Sequence, residues 1–285
     1  MHATSHRTAP APPLDAATAL RAWEVPPALV VALAVTAFVY ARGWRRLRPA
    51  RVSAAQRGAF LAGLGMLFVA LASPLDTLAD RSLPIHMAQH LVLLVIVPPL
   101  LLAGAPMVPL LRGLPAGRLR AALGAVAARA DRLAHPVVGL TALALATWGW
   151  HVPAAFELAL RERAWHVAEH ASFLGAGLLF WWPVVQPWPS RARWPRWAVV
   201  PYLLLADVQN SALAAILTFS DRVIYPAYAA LPPMWGLSPL EDQAIAGVIM
   251  WVPGSLAFLL PVVWLVATTL TAPRPALRHT APRQA

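Results

Sequence analysis

Long apolar runs constrain this chain more than any other feature. Seven stretches meet or approach the roughly 20 residues that a helix needs to cross the hydrocarbon core, and each holds no charged residue or only one. They run roughly over residues 25–41, 58–73, 84–104, 136–152, 164–186, 197–219 and 243–267. Only 12% of all residues are charged, against about 25% in soluble domains. The sequence therefore predicts an all-α, polytopic membrane helix bundle with seven transmembrane helices.

Two other membrane interpretations fit poorly. Transmembrane strands would alternate in polarity over about ten residues, whereas these runs are continuously apolar. A cleavable signal peptide would end in a small-residue cleavage site, and none follows the first run. We expect the first run to be a membrane span in the mature protein.

The arginines predict which way the spans point. All the positive side-chain charge is arginine, with 23 arginines and no lysine. Seventeen of them follow the first, third, fifth and seventh spans, whereas nine acidic residues lie at the opposite side. Because cytoplasmic loops are enriched in positive residues, the N-terminus is predicted outside and the C-terminus in the cytoplasm. The net charge of +11 is then a topology signal that indicates no nucleic-acid partner.

The segments outside the membrane domain differ from it in composition. Residues 1–24 and 271–285 are rich in proline, alanine and arginine, which predicts a disordered extracytoplasmic tail and a disordered cytoplasmic tail around a membrane domain at 25–270. Within that domain, residues 116–134 carry arginines and leucines at helical spacing. They predict an amphipathic helix on the cytoplasmic interface.

Five of the nine histidines fall at span ends that the predicted orientation places on one side of the membrane: His86, His90, His151, His166 and His170. The first two and the last two are each four residues apart, which puts both members of a pair on one helix face. Two such helices packed together would bring four imidazoles into one small volume, and His151 would add a fifth. The pattern predicts an extracytoplasmic metal or cofactor site.

The chemistry of these residues narrows the choice of metal. Imidazole binds copper, zinc, iron and nickel, and the absence of cysteine excludes thiolate sites and disulfides. Supplementary ligands or groups that orient the imidazoles are expected among Met87, Glu169, Asp207, Asp242 and Met250. Glu157 is a further acidic candidate. Asp207 lies in the middle of the sixth span, where an ionisable side chain has either a functional role or a packing role through hydrogen bonds.

Several short motifs are informative as a set: HMAQH at 86–90, PPLLLAGAP at 98–106, WHVP at 150–153, WHVAEH at 165–170, FWWP at 180–183, LTFS at 217–220, YP at 225–226, PLEDQ at 239–243 and AGVIMW at 246–251. Together they resemble one known family, the CtaG family of cytochrome c oxidase assembly factors linked to caa-type oxidase. Each motif alone is weakly specific, whereas the set is specific. The resemblance covers roughly residues 25–266.

The resemblance implies a seven-helix protein of the bacterial plasma membrane that is required to assemble a haem–copper oxidase. It implies oxidase subunits as partners, alongside the lipid bilayer, and copper as the metal handled. It also implies that the protein is not an enzyme. The histidine cluster, which comes from the residues themselves, would lie on the side where extracytoplasmic copper arrives.

Three other functions remain open from the residues alone. An intramembrane zinc-dependent hydrolase would use three of the ligands and an open position for water. A haem-binding redox protein would need histidines from facing helices, and a spacing of four within one helix suits that poorly. A copper permease is disfavoured because the polar residues gather at one membrane face instead of forming a path across the bilayer.

Overall fold

The computed structural model describes residues 21, 23, 25–47, 53–133, 135–190, 194–232 and 235–271, and at 127–133 it describes the backbone alone. Within these ranges the chain is all-helical, with 83% helix and no strand. In chain order the helices are α1 (Pro27–Arg45), α2 (Ala54–Ala72), α3 (Pro74–Ala79), α4 (Leu83–Leu91), α5 (Val97–Ala103), α6 (Met107–Gly113), α7 (Arg118–Leu133), α8 (Pro136–His151), α9 (Pro153–Arg161), α10 (Arg163–Val185), α11 (Val199–Phe219), α12 (Pro226–Ala229) and α13 (Pro239–Thr271).

The described helices fit a multi-pass membrane protein. Five helical segments are long and apolar enough to cross a membrane, namely α1, α2, the continuous segment Leu83–Ala103, the segment Arg196–Phe219 and α13. Helices α8 and α9 meet at a bend of 76° and raise the number to six if they count as one span.

Helix α10 corresponds to the remaining predicted span but is not among these candidates. Its 23 residues are long enough, yet Glu169, His166 and His170 lower its mean hydropathy. The same polar residues that make this helix interesting chemically therefore weaken it as a membrane span. The predicted orientation and the two predicted tails stay predictions, since most of residues 1–24 and all of 272–285 lie outside the described residues.

The segment Leu83–Ala103 is the centre of the bundle. It packs against α2 on one side and α10 on another, while α13 packs against its first part, α4. Helix α10 packs in turn on α8, and α11 packs on both α8 and α13. Of the candidate spans this segment is the most enclosed, since 61% of its apolar 18-residue stretch is buried. Its side chains are therefore surrounded by protein on most faces.

A π-helical turn at Val92–Ile96 joins α4 to α5, and its cause lies in the following prolines. Pro98 has no N–H to donate to the carbonyl of Leu94, and its ring would clash with that carbonyl in a regular helix. The Leu94 carbonyl instead accepts a hydrogen bond of 3.1 Å from the indole N–H of Trp181 on α10. The irregular turn thus ties the central segment to α10 about one turn beyond His90.

Small residues allow a close contact between α11 and α13. A Cβ on Gly247 would overlap the Thr218 hydroxyl and lie 2.7 Å from the Thr218 backbone nitrogen. Glycine at this position permits the two backbones to approach, which is how membrane helices gain packing energy where hydrocarbon solvent gives no hydrophobic drive.

Candidate metal centre

Helix α4 carries the first histidine pair on its buried face. His86 is fully buried and His90 is 4% exposed, and their ring centres lie 4.2 Å apart in an edge-on arrangement. Asp242 on α13 fixes the start of this helix, because its Oδ2 accepts the Leu83 N–H at 3.2 Å. That contact satisfies one of the free N–H groups at a helix N-terminus. The seventh predicted span therefore positions the helix that bears the pair.

Helix α10 supplies the second histidine pair and a carboxylate. The Nε2 atoms of His166 and His170 lie 3.1 Å apart, as expected for neighbours one helical turn apart. Glu169, three residues after His166, has no exposed surface. Their spacing of three and four residues puts all three side chains on one face of α10. This face meets α4, since Glu169 lies within 4 Å of both His86 and His90.

The two helices bring these groups to one point. Donor atoms of His86, His166, Glu169 and His170 all lie within 4.8 Å of one another. The Glu169 carboxylate lies between the helices, with Oε2 3.9 Å from His86 Nε2 and Oε1 3.6 Å from His90 Nε2. Four imidazoles and one carboxylate thus form a single group, which we call the histidine–glutamate cluster.

The cluster contains buried polar atoms that lack hydrogen-bond partners among the described residues. They are Nε2 of His86, both ring nitrogens of His90 and both carboxylate oxygens of Glu169. A buried polar group without a partner costs about 1–3 kcal/mol, and more if it is charged. Unpartnered atoms are rare in folded proteins, and here five of them converge. Such an arrangement is chemically suited to a cation, to which the two carboxylate oxygens and one ring nitrogen of each histidine can offer lone pairs.

Tyr228 determines how His86 presents its ring. The tyrosine hydroxyl lies 2.7 Å from the Ala79 carbonyl and 3.0 Å from His86 Nδ1. Burial raises the pKa of Tyr228, so the hydroxyl keeps its single proton. Since the carbonyl only accepts, the hydroxyl donates to it, and Nδ1–H of His86 then donates to the hydroxyl oxygen. The lone pair of His86 is left on Nε2, the atom that points at Glu169.

His151 lies at the edge of this group, at the C-terminal end of α8. Its ring centre is 6.5 Å from that of His90, and it is not part of the four-residue set whose donor atoms converge. Its Nδ1 contacts the Thr147 carbonyl at 2.6 Å, and its Nε2 contacts Met87 Sδ at 3.4 Å. Of the five predicted histidines, four therefore surround Glu169, and the fifth pairs with a predicted supplementary residue.

The other supplementary candidates lie in different surroundings. Asp207 has a buried Oδ1 without a partner among the described residues, and the structure does not include it in the converging set. Met250 is 4% exposed, and its backbone carbonyl accepts a hydrogen bond from Asn210. Glu157 forms an ion pair of 2.6 Å with Arg161. Glu169, expected as a supplementary ligand or a group that orients the imidazoles, lies between the two histidine pairs.

Sequence reasoning missed the aromatic residues that enclose the cluster. Tyr228 lies on the short helix α12, and the Tyr225 hydroxyl donates to the His151 carbonyl at 3.0 Å. Phe156 of α9 stacks on Tyr225 with ring centres 4.1 Å apart and lies 5.2 Å from His86. These residues follow no helical period with the histidines, and the YP pair at 225–226 was the sole signal near them.

Comparison with known proteins assigns the chain to one family through a family model. The family model described as cytochrome c oxidase caa3 assembly factor (Caa3_CtaG) matches residues 38–272. The chain is 26% identical over 274 residues to the uncharacterized proteins Mb0105 of Mycobacterium bovis and MT0111 of Mycobacterium tuberculosis, with 90% of this chain and 40% of each relative covered. The uncharacterized protein ML1998 of Mycobacterium leprae is 26% identical over 219 residues, with 73% of this chain and 33% of that relative covered. The chain thus spans less than half the length of these relatives, and no solved structure matches it.

Proposed function

Since the chain belongs to the family of cytochrome c oxidase caa3 assembly factors, we propose that it binds copper at the histidine–glutamate cluster and delivers it to the oxidase during assembly. Copper is here a cargo. The observation that carries the proposal is the convergence of unpartnered buried nitrogen and carboxylate atoms from α4 and α10 around one point.

The donor set supports a transition-metal cargo. Imidazole nitrogens predominate over carboxylate oxygens, and hard ions such as Mg²⁺ and Ca²⁺ prefer oxygen ligands. Copper lies at the top of the affinity order of divalent ions for such sites. The haem–copper oxidase that gives the family its description needs copper for its metal centres. The ligand chemistry and the family thus support the same cargo.

The arginine distribution supports the direction of delivery. The histidine pairs open α4 and α10, and His151 ends α8, so the cluster lies at the end of the bundle opposite to the arginine-rich loops. By the positive-inside rule that end faces outward. We expect copper to enter and leave on the extracytoplasmic side, with subunits of the oxidase as the receiving partners in a bacterial plasma membrane.

An intramembrane zinc-dependent hydrolase is the second candidate, and Glu169 is the observation that favours it. A carboxylate next to a metal can act as general base toward a bound water. Zinc in purified protein, together with turnover of a substrate that Glu169→Gln abolishes, would establish this alternative over copper delivery.

The test combines metal analysis with oxidase activity. The full-length protein is purified from membranes as wild type and as a variant with His86, His90, His166 and His170 all changed to alanine, and both are loaded with copper and dialysed. We expect bound copper in the wild type and loss of most of it in the variant. Equal copper content in the two proteins would overturn the site.

The activity arm uses a host strain that lacks the gene. Membranes of this strain should lose cytochrome c oxidase activity, and wild type but not His86→Ala/His90→Ala should restore it. Glu157→Gln is the matched control, since its ion pair with Arg161 lies outside the cluster. Full activity from the double variant, at equal protein levels, would contradict the proposal.

A further inference from the structure

His151 and Met87 form a contact that the histidine–glutamate cluster does not explain. His151 is 7% exposed and Met87 is fully buried. The imidazole Nε2 and the thioether Sδ lie 3.4 Å apart, across 64 residues of sequence. Nδ1 of the same ring lies 2.6 Å from the Thr147 carbonyl oxygen.

In a neutral His151, no hydrogen atom lies between Nε2 and the Met87 sulfur. A carbonyl oxygen only accepts, so the 2.6 Å contact requires the proton of His151 on Nδ1. A neutral ring then has a lone pair on Nε2, and it faces a sulfur that also has only lone pairs. Protonating both nitrogens would satisfy the contact but would bury a positive charge in the bundle. Two acceptors therefore face each other, and a cation satisfies both.

The pair has a softer donor set than the histidine–glutamate cluster, because it combines an imidazole with a thioether sulfur. Thioether sulfur selects Cu(I) among biological metals, whereas imidazole with carboxylate also accepts Zn²⁺ and Cu(II). The chain has no cysteine, so methionine is its only source of sulfur ligands. A site that combines Nε2 of His151 with Sδ of Met87 therefore discriminates by oxidation state, which the cluster around Glu169 does not.

The surroundings hold both side chains in this position and place a third donor nearby. The Tyr225 hydroxyl donates to the His151 backbone carbonyl at 3.0 Å. Met87 lies next to His86 on α4, so the helix that carries the histidine pair also fixes the sulfur. His90 has its ring centre 6.5 Å from that of His151, and neither of its ring nitrogens has a partner among the described residues.

We infer that His151 and Met87 form a separate Cu(I)-binding subsite beside His90, a member of the histidine–glutamate cluster. The inference rests on the proposed function in taking copper as the cargo. It adds that the protein holds the ion in its reduced form on a sulfur-containing subsite. His90 contacts Glu169 in the cluster and lies beside His151, and it is the residue through which an ion would pass from one site to the other.

X-ray absorption at the copper edge tests the subsite directly. The full-length protein in detergent is loaded anaerobically with one equivalent of Cu(I), and we expect a sulfur atom in its first shell. Met87→Leu should remove the sulfur signal and lower the Cu(I) affinity, measured against a competing chelator, by about tenfold or more. Leucine matches methionine in volume, so the fold should be retained.

Met250→Leu is the matched control, because it makes the same exchange at another buried methionine of the same core. It should leave the sulfur signal and the Cu(I) affinity unchanged. A sulfur signal that survives in Met87→Leu, or that disappears in Met250→Leu, would overturn the inference. So would equal Cu(I) affinity in wild type and Met87→Leu.

Zn²⁺ titration separates the subsite from the histidine–glutamate cluster. Met87→Leu should keep the Zn²⁺ affinity of the wild type, whereas Glu169→Gln should lower it.

The oxidase assay separates this inference from the proposed function. If the gene proves dispensable for oxidase activity while Met87→Leu still loses its sulfur ligand, the subsite stands and the delivery role fails. If Met87→Leu is indistinguishable from wild type while the gene is required, the subsite fails and the delivery role stands.

Discussion

The hydroxyl of Tyr228 lies 3.0 Å from Nδ1 of His86, although 142 residues separate the two in sequence. The same hydroxyl reaches the Ala79 carbonyl at 2.7 Å. The tyrosine therefore links the segment before α13 to the helix that bears the first histidine pair. It also keeps the His86 lone pair on the nitrogen that faces Glu169.

Tyr228→Phe is expected to weaken metal binding while leaving the protein folded. Removing a partner that orients a metal-binding histidine costs about 10- to 100-fold in affinity, and the lost hydrogen bonds lower the free energy of unfolding by about 1 kcal/mol. Copper titration of purified protein against a chelator measures the first effect. Tyr202→Phe is the control, because Tyr202 is also buried and donates to a backbone carbonyl, that of Phe180. Equal affinities in the two variants would contradict the orienting role.

Glu169→Gln is expected to reduce metal binding without a change of shape. The amide keeps the volume of the carboxylate but removes the negative charge that lies between His86 and His90. We expect the affinity for Zn²⁺ and Cu(II) to fall by about tenfold or more, as measured by isothermal titration. Glu157→Gln serves as the control. If both variants titrate like the wild type, Glu169 is not a ligand.

Gly247→Ala is expected to destabilise the bundle without touching the cluster. Its new methyl group would overlap Thr218 at the contact of α11 with α13, and overpacking typically costs about 1–3 kcal/mol. Unfolding followed by tryptophan fluorescence in detergent should show the loss. Gly175→Ala on α10 is the control, since a Cβ there meets nothing within 4 Å. Equal stability of both variants would show that the close approach of α11 and α13 contributes little.

The predicted orientation can be tested with single cysteines, because the natural chain has none. Asp221 lies just beyond the end of α11, at the end of the bundle that holds the cluster, and Ala116 lies just before α7. Both residues are exposed, and each is changed to cysteine in a separate variant. A membrane-impermeant maleimide added to intact cells should label the first and spare the second. The reverse labelling pattern would place the cluster on the cytoplasmic side and exclude extracytoplasmic delivery.

Periodicity explains which parts of the site could be predicted. A spacing of four residues fixes His86 with His90, and His166 with His170, on single helix faces, so their convergence needs only that α4 and α10 pack together. Glu169 was predicted only as a supplementary ligand or orienting group, because sequence spacing does not say which side chain on a helix face lies closest to the facing helix. Its position three residues after His166 turns it toward α4.

Other features depend on contacts that no local pattern encodes. His151 contacts Met87 from the end of α8, just before the bend of 76° into α9, and the sequence does not encode this contact across 64 residues. Tyr228 contacts His86 from a helix of four residues, which is too short to show a hydrophobic periodicity in the sequence. The π-helical turn has a local cause in Pro98, yet its partner Trp181 comes from another helix.

The division of the cluster between α4 and α10 has a thermodynamic consequence. An ion held by His86 on one helix and by Glu169 and His170 on the other joins two segments that the lipid does not drive together. By mass action, a ligand that binds only the native form at about 100 times its dissociation constant adds about 2.7 kcal/mol to stability. Under the proposed function, we therefore expect the thermal midpoint of the protein to rise with copper occupancy, and release of the ion to loosen the contact between these two helices.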